Sequence, residues 1–392
     1  MTTSGCTPSH AARTSIGVVT STDPMAYGFS GTPHFMTQAL EKHCGDVRCL
    51  GPVTSLVETA ARAFNKASRL VTGKRYDFVH SRMLSRRYAR LFERKLRDAP
   101  VDVLFAPMAS TEIAFLNTGL PVVYSSDTTF RGLKDYYPGF SNLLEFSARE
   151  ADFMERSAIA RARLLVYPSR WAAESAVRDY QADAAKVHVI PYGANLEDAP
   201  PAEAALRPRP SDVCRLLFVG VDWVRKGGDI AVETLAALHA MNIPAELTVC
   251  GCTPPAGLGV PGLRVIPFLD KGDAAQRRKL EDLYLGSHFL LLPTRNECYG
   301  IVFCEANAFG VPAIATDTGG VSEIIRQGRN GFMLPLAARG AEYADVIAGL
   351  WRDPGRYREM AADARSEFDH RLNWDAWAVA VGKLLREIVE IV

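Results

Sequence analysis

The sequence has almost no net charge, with 45 Lys and Arg against 44 Asp and Glu. It also lacks long apolar runs. Stretches such as Phe289 to Pro293 fall far short of the roughly 20 residues a membrane helix requires. The opening MTTSGCTPSHAARTS has no apolar core of the kind a secretory leader carries, so the chain is expected to remain in the cytoplasm. No biased tract appears, and 30 Gly and 23 Pro are near average usage, which excludes disordered and collagen-like chains. Eight cysteines form no CxxC pair and sit mostly in apolar segments, as reduced, buried thiols do. Cys250 and Cys252 would share one face of a strand and could begin a metal site, but no second pair accompanies them. P-loop, HExxH, GxSxG and Asp-x-Asp patterns are also missing, which removes the simplest nucleotidase, metalloprotease and hydrolase readings. Without an Asp-x-Asp pair to hold a divalent ion, a diphosphate would have to be met by cations and backbone amides.

What is present is an alternation of short β-branched runs with longer segments of helical period, the pattern of parallel sheets with crossover helices. It occurs twice. Strands are expected near 16–20, 46–50, 101–106, 121–125, 164–167 and 187–190, then near 214–219, 245–250, 263–266, 289–292 and 312–316. Between the sets lies EDAPPAEAALRPRPSD, 197–212, with the composition of an exposed linker. The expected division is therefore 1–197, 198–372, and a closing amphipathic helix, 373–392, that packs back towards the first unit. The fold class is α/β: two doubly wound units facing across a cleft, with ligands beyond the carboxyl ends of the strands. Gly257, Gly259 and Gly262 spell GxGxxG, but they precede a strand and open no helix, so they read as a loop.

The chemistry concentrates in His288 to Leu334. An apolar strand ends at Pro293, a polar loop carries Glu297, and Gly300 leads into a helix holding Ile301, Val302 and Glu305. Unpaired amides at Gly300, Ile301 and Val302, with the positive end of the helix dipole, form a seat for phosphate oxygens. Glu297 stands before that seat, and Glu305 lies within reach of ribose hydroxyls. The eight-residue spacing alone decides nothing, since Glu359 and Glu367 share it on what reads as a solvated helical face. The surroundings decide. Glu297, Tyr299, Gly300, Glu305, Ala306, Ala308, Gly310, Pro312, Gly319, Gly320 and Glu323 stand in register with the nucleotide-sugar signature of retaining GT-B glycosyltransferases of family GT4, which this segment resembles.

A second resemblance lies in Leu216 to Leu238, where Gly220, Lys226 and Gly227 match the family's G-R-x4-K-G loop. Lys226, at a strand end before a helix, can neutralise a leaving diphosphate. Two solvated cations at a helix start is the plainer reading. The family's usual Arg is Val221 here, and Arg225 is the residue that can replace its charge. Tyr167 to Leu196 resembles the family's approach to the linker, and Pro267 to Gly272, with Phe268, the loop flanking the nucleotide base.

On the first unit, DPMAYGFSGTPH, 23–34, places Gly28 and Gly31 before a helix that Thr32 would cap and Pro33 would start. Gly31 either lies beside the diphosphate, as the resemblance implies, or serves a tight turn. His34 reads as a helix-surface residue. Asp127, in the loop after an apolar strand, either orients a sugar or acceptor hydroxyl or caps the next helix. Many family members carry a His near that point, and His80 is the weaker substitute. Residues 60–97 hold 12 Lys and Arg against Asp77 and Glu93, a local net of +10, interleaved with aromatic and aliphatic side chains. Such a segment is a solvated basic face, or one that meets an anionic membrane surface or an anionic acceptor. No module that reads nucleic acid accompanies it.

The resemblance therefore implies a metal-independent, retaining transfer of a sugar from an NDP-sugar, with UDP favoured and GDP second, to a hydroxyl acceptor. Glu297, Lys226, Arg225 and Asp127 would act on the reacting groups. Gly31, Gly300, Ile301, Val302, Glu305 and Phe268 would hold the nucleotide. The alternatives are a sugar-nucleotide epimerase on the same architecture and a sugar-binding protein without catalysis. No cofactor is expected, and the chain could touch the inner membrane face through 60–97.

Overall fold

The computed structural model describes residues 13–25 and 28–390. They fold around two six-stranded sheets in which every pairing is parallel. The first contains β1 (Thr14–Val18), β2 (Gly45–Cys49), β3 (Val103–Pro107), β4 (Val122–Ser125), β5 (Leu164–Tyr167) and β6 (Val187–Val189), in the order β2-β1-β3-β4-β5-β6. The second contains β7 (Cys214–Val219), β8 (Ala245–Cys250), β9 (Leu263–Ile266), β10 (Phe289–Leu292), β11 (Ala313–Thr316) and β12 (Gly331–Leu334), in the order β12-β11-β10-β7-β8-β9. Strands such as VLFAP, FLLL and AIAT are buried along their whole length, because helices cover both faces of a parallel sheet. This is the doubly wound pair expected from the alternation.

Each order reverses once, between β1 and β3 and between β7 and β10. Diverging crossovers there leave a crevice at the carboxyl ends. β12 was not among the expected strands. GFML is short, starts with Gly and is only partly buried at a sheet edge, so it carries little apolar signal.

The last helix, Trp374–Glu390, leaves the second sheet and packs on the helix Thr32–His43 of the first. Trp377 meets Phe105 edge-on at 5.8 Å, Trp374 stacks on Tyr192 at 5.6 Å, and Cys44 Sγ donates to the Ala378 carbonyl at 3.3 Å. Trp377 is 1% exposed, so its truncation to Ala would cost roughly 3–5 kcal/mol. One continuous apolar cluster thus runs from Ile16 and Phe105 through Trp377 to Leu216 and Leu291. The expected linker is mostly exposed but not featureless. It contains a helical turn, Ala202–Ala205, and Arg209 is anchored to the Phe309 carbonyl at 2.8 Å and the Tyr357 hydroxyl at 3.2 Å.

Candidate active site

The chain leaving β7 turns tightly. Asp222 accepts the Arg225 N–H through its side chain and the Lys226 N–H through its carbonyl, both at 3.0 Å, and Gly227 then caps the helix Gly228–Ala240. The chain leaving β10 is tied to that turn. The Arg295 N–H and the Thr294 hydroxyl both donate to the Arg225 carbonyl, at 2.7 and 3.2 Å. Two loops at the switch point of the second sheet are thereby joined, and they bring Arg225, Lys226 and Glu297 to one cavity of about 280 Å³.

Glu297 is 6% exposed. Its carboxylate is ion-paired with the Lys226 ammonium, accepts a hydrogen bond from the Tyr137 hydroxyl at 3.3 Å, and has the Arg225 guanidinium 3.9 Å away. Arg225 donates to the Asn296 carbonyl at 3.1 Å and lies over the Tyr137 ring, 4.8 Å from its centroid. Val221, where the family has Arg, sits exposed on the rim. Arg225 is the second cation near the Glu297 carboxylate, after Lys226.

Tyr136 and Tyr137 come from the loop after the short helix Phe130–Leu133, on the other side of the cleft. The Glu297 N–H donates to the Tyr136 hydroxyl at 2.9 Å, and the Cys298 N–H to the Tyr137 hydroxyl at 3.2 Å. Tyr136 also shares a 2.8 Å hydrogen bond with Thr318. Gly319 closes this corner. Its φ is +56°, and a Cβ there would lie 1.9 Å from the Glu297 carbonyl oxygen, so no other residue fits.

Behind Glu297 the helix Ile301–Ala308 begins, capped by Gly300 at φ +95°. A Cβ on Gly300 would strike the Phe303 ring at 2.5 Å. Gly300, Ile301 and Val302 all line the cavity, which places the first-turn amides and the dipole's positive end at its wall. Glu305, 1% exposed, lies at the far end, ion-paired with Lys271 and accepting from the Tyr284 hydroxyl at 3.1 Å. Phe268 lines the mouth and is 62% exposed. The cavity is thus lined by Arg225 and Lys226 with the Glu297 carboxylate, by the first turn of the helix Ile301–Ala308, and by the Lys271–Glu305 ion pair.

The remaining expected residues lie around it. Gly31, in the left-handed region at φ +89°, caps the helix Thr32–His43, so Thr32 is its first residue rather than its cap. Ser30, not Gly31, lines the cavity. Asn195 fixes this turn, donating to the Ser30 carbonyl at 2.9 Å and to Thr32 at 3.0 Å while accepting from the Trp374 indole at 3.0 Å. Asp127 does not line the cavity, yet it feels Glu297: burial first, and then the Glu297 charge, push its carboxyl up to about 6. His34, expected on a helix surface, is buried, with Nε2 3.5 Å from Glu197. His80 is held away from the cavity by Asp77 at 2.8 Å. Burial opposes its charge, but the Asp77 carboxylate prevails and its pKa is raised.

Other expectations resolve locally. Cys250 ends β8 and Cys252 lies beyond it, and burial pushes the Cys250 thiol up to about 11. Glu367, read as solvated, is 4% exposed and ion-paired with Arg326 and Arg371. Gly257, Gly259 and Gly262 lie in the loop before β9. Tyr136, Tyr137, Ser30 and Asn195 were missed as individual site residues. Ser30 and Asn195 lie inside segments already singled out, 23–34 and Tyr167 to Leu196, whereas Tyr136 and Tyr137 left only a Tyr pair in an otherwise polar loop, KDYYPG, with no periodicity to mark it.

Comparison with known proteins adds a family context. A model described as Glycosyl transferases group 1 matches residues 214–353, and one described as Glycosyltransferase Family 4 matches 34–198. A D-inositol 3-phosphate glycosyltransferase of Xylanimonas cellulosilytica is 32% identical over 248 residues, covering 58% of this chain and 57% of that one. Its counterpart from Streptomyces bingchenggensis is 30% identical over 252 residues, covering 59% and 54%. The alignments therefore span little more than half of these relatives. Among solved structures, sucrose-phosphate synthase from Thermosynechococcus elongatus superposes with a TM-score of 0.68 at 18% identity, covering 97% of this chain and 100% of that one. HepE of Anabaena, solved with UDP and glucose, gives 0.63 at 15% identity, covering 96% and 100%. At such identities these likenesses carry the GT-B fold.

Proposed function

The chain belongs to the group 1, family 4 glycosyltransferases, and from that premise we propose that it moves a sugar from a nucleoside diphosphate sugar to a hydroxyl acceptor. The observation that carries the reading is one cavity at the switch point holding Lys226, Arg225, the first turn of the helix Ile301–Ala308, Glu297 and Glu305. A diphosphate fits between the two cations and the amide groups. Lys226 and Arg225 offset the charge that grows on it as the glycosidic bond breaks. Glu297 receives donor sugar hydroxyls, and Glu305 receives ribose hydroxyls on the lone pairs that Lys271 and Tyr284 leave open. Phe268 gives the base an exposed aromatic surface.

Cations and amides suffice for a diphosphate, so the transfer is metal-independent. Attack on the face the diphosphate leaves gives retention. Asp127, across the cleft, positions the sugar or acceptor. UDP is the first choice of nucleotide because HepE binds it, and GDP is the second. No helix among the described residues is long and apolar enough to cross a membrane. The helix Leu56–Thr72 exposes Leu56, Phe64, Leu70 and Val71 among basic residues, which supports peripheral contact with an anionic membrane.

A melting-temperature screen with UDP, GDP, ADP and dTDP, with and without EDTA, tests the donor site. A rise with one nucleotide that survives EDTA is the expected result. No rise with any of them, together with no turnover of UDP-sugars or GDP-sugars, would overturn the reading.

A further inference from the structure

Glu297 stands in a loop, 293–300, that contains neither helix nor strand, so its conformation rests on what surrounds it. Both polar main-chain atoms of Glu297 are held. Its N–H donates to the Tyr136 hydroxyl at 2.9 Å, and its carbonyl accepts the Gly320 N–H at 3.2 Å. The same Tyr136 hydroxyl shares its 2.8 Å hydrogen bond with the Thr318 hydroxyl. One side chain of the first unit therefore ties together two loops of the second, the one after β10 and the one after β11.

Tyr136 is braced from both sides. On the second unit, Gly319 leaves the room it needs, since a Cβ there would lie 2.8 Å from the Tyr136 hydroxyl. On the first unit, the Trp171 ring packs against the Tyr136 ring with centroids 5.4 Å apart. Trp171 lies in the first turn of the helix Arg170–Tyr180, and the start of that helix docks on the segment after β11: the Glu323 carboxylate accepts the Arg170 N–H at 3.2 Å and has the Arg170 Nε 3.4 Å away. Glu323 is in turn fixed by Arg371, which donates to its carbonyl at 2.7 Å. Burial raises the Tyr136 pKa, so the group stays a hydroxyl at neutral pH.

The two tyrosines thus act on Glu297 at different atoms. Tyr137 donates to the carboxylate itself, whereas Tyr136 holds the main chain from which the carboxylate projects. A carboxylate that reads a hydroxyl rejects a substrate lacking it, because a buried polar group is then left unpaired, and this rejection weakens steeply when the carboxylate is misplaced.

We propose that Tyr136 is a positioning residue for Glu297 and that, through its hydrogen bond with Thr318, it sets how strictly the hydroxyls of the donor sugar are read. This rests on the glycosyltransferase reading. Tyr136 touches no substrate. It fixes the peptide between Asn296 and Glu297, and with it the direction in which the carboxylate points.

The experiment measures kcat/KM for the nucleotide sugar that turns over and for its 2-, 3-, 4- and 6-deoxy analogues. In the wild type, the analogue lacking the hydroxyl that Glu297 receives should fall about tenfold or more below its parent. In Tyr136→Phe that ratio should shrink by about threefold or more, with the melting shift induced by the nucleotide retained. The ratio compares two substrates on one preparation, so loss of folded protein does not move it. Thr318→Val reads the same hydrogen bond from its other end and should shrink the ratio likewise, whereas Thr318→Ser, which keeps the hydroxyl, should behave as the wild type. Combining Tyr136→Phe with Thr318→Val should be no worse than the worse single change. A wild type indifferent to every deoxy analogue, an unchanged ratio in Tyr136→Phe, or additive effects in the double variant would overturn the proposal. Failure of the transferase reading shows separately, as no turnover of any UDP-sugar or GDP-sugar by the wild type and no melting shift with either nucleotide, and it would take the proposal with it.

Discussion

The Lys226 ammonium and the Glu297 carboxylate are ion-paired across the point where the second sheet reverses its strand order, one from the loop after β7 and the other from the loop after β10. Both side chains are nearly buried, so each charge relies on the other more than on water. A diphosphate that recruits Lys226 weakens that pair, and Arg225, already 3.9 Å from the carboxylate, is placed to take over part of it.

Lys226→Met and Glu297→Gln should each lower turnover by about 10²–10³-fold, the usual effect of removing one electrostatic contact to the transition state. Each also strands a nearly buried charge. The double variant should therefore melt closer to the wild type than the sum of the two single shifts, as a double-mutant cycle by calorimetry would show. Strict additivity would mean that the ion pair contributes nothing to stability.

Tyr137→Phe removes the hydroxyl that donates to Glu297 and accepts from Cys298. A hydrogen bond to a charged group contributes roughly 1.5–3 kcal/mol, so kcat should fall by about tenfold or more. Steady-state kinetics would register this, with little change in KM for the donor nucleotide, because Tyr137 contacts Glu297, the carboxylate proposed to receive the sugar hydroxyls, rather than Glu305.

Glu305→Gln keeps the size of the side chain but removes the charge that Lys271 pairs with. Nucleotide binding, measured by titration calorimetry, should weaken by about tenfold for the ribonucleoside diphosphate. The 2′-deoxy nucleotide should lose less, since it offers one hydroxyl fewer. Equal losses for both would dissociate Glu305 from the ribose.

Asp127 gives a pH signature. Burial and Glu297 raise its carboxyl to about 6 from the ordinary 3.8, so the folded state binds the proton more tightly than the unfolded one. Its contribution to stability is complete below pH 3.8 and is lost as pH rises through about 6. Asp127→Asn, which cannot ionise, should gain in melting temperature over the wild type between pH 5 and pH 8. A difference that stays constant across that range would show that the carboxyl is not shifted.

Much of the fold was legible because its signals are local. FLLL and AIAT are apolar runs that only a doubly covered strand explains, whereas GFML, at an edge and partly solvated, left no comparable mark. Lys226, Glu297 and Glu305 stood out through the glycines and small residues around them. Glu359 and Glu367 share the same spacing, and only burial showed that Glu367 is a structural ion-pair partner. Tyr137 lies 160 positions from Glu297, and no short-range periodicity reports a pairing at that separation.

The sequence by itself determined the two parallel sheets, the glycine-bounded turns and the carboxylates and cations at strand ends, because each follows from side-chain period and backbone freedom within a few residues. Only the tertiary structure decided which of those groups meet. It paired Lys226 with Glu297 and Lys271 with Glu305, brought Tyr136 and Tyr137 across the cleft, and placed Ser30 rather than Gly31 in the cavity. Those contacts depend on how two sheets and a returning helix share one apolar core, which is a property of distances between residues far apart in the chain.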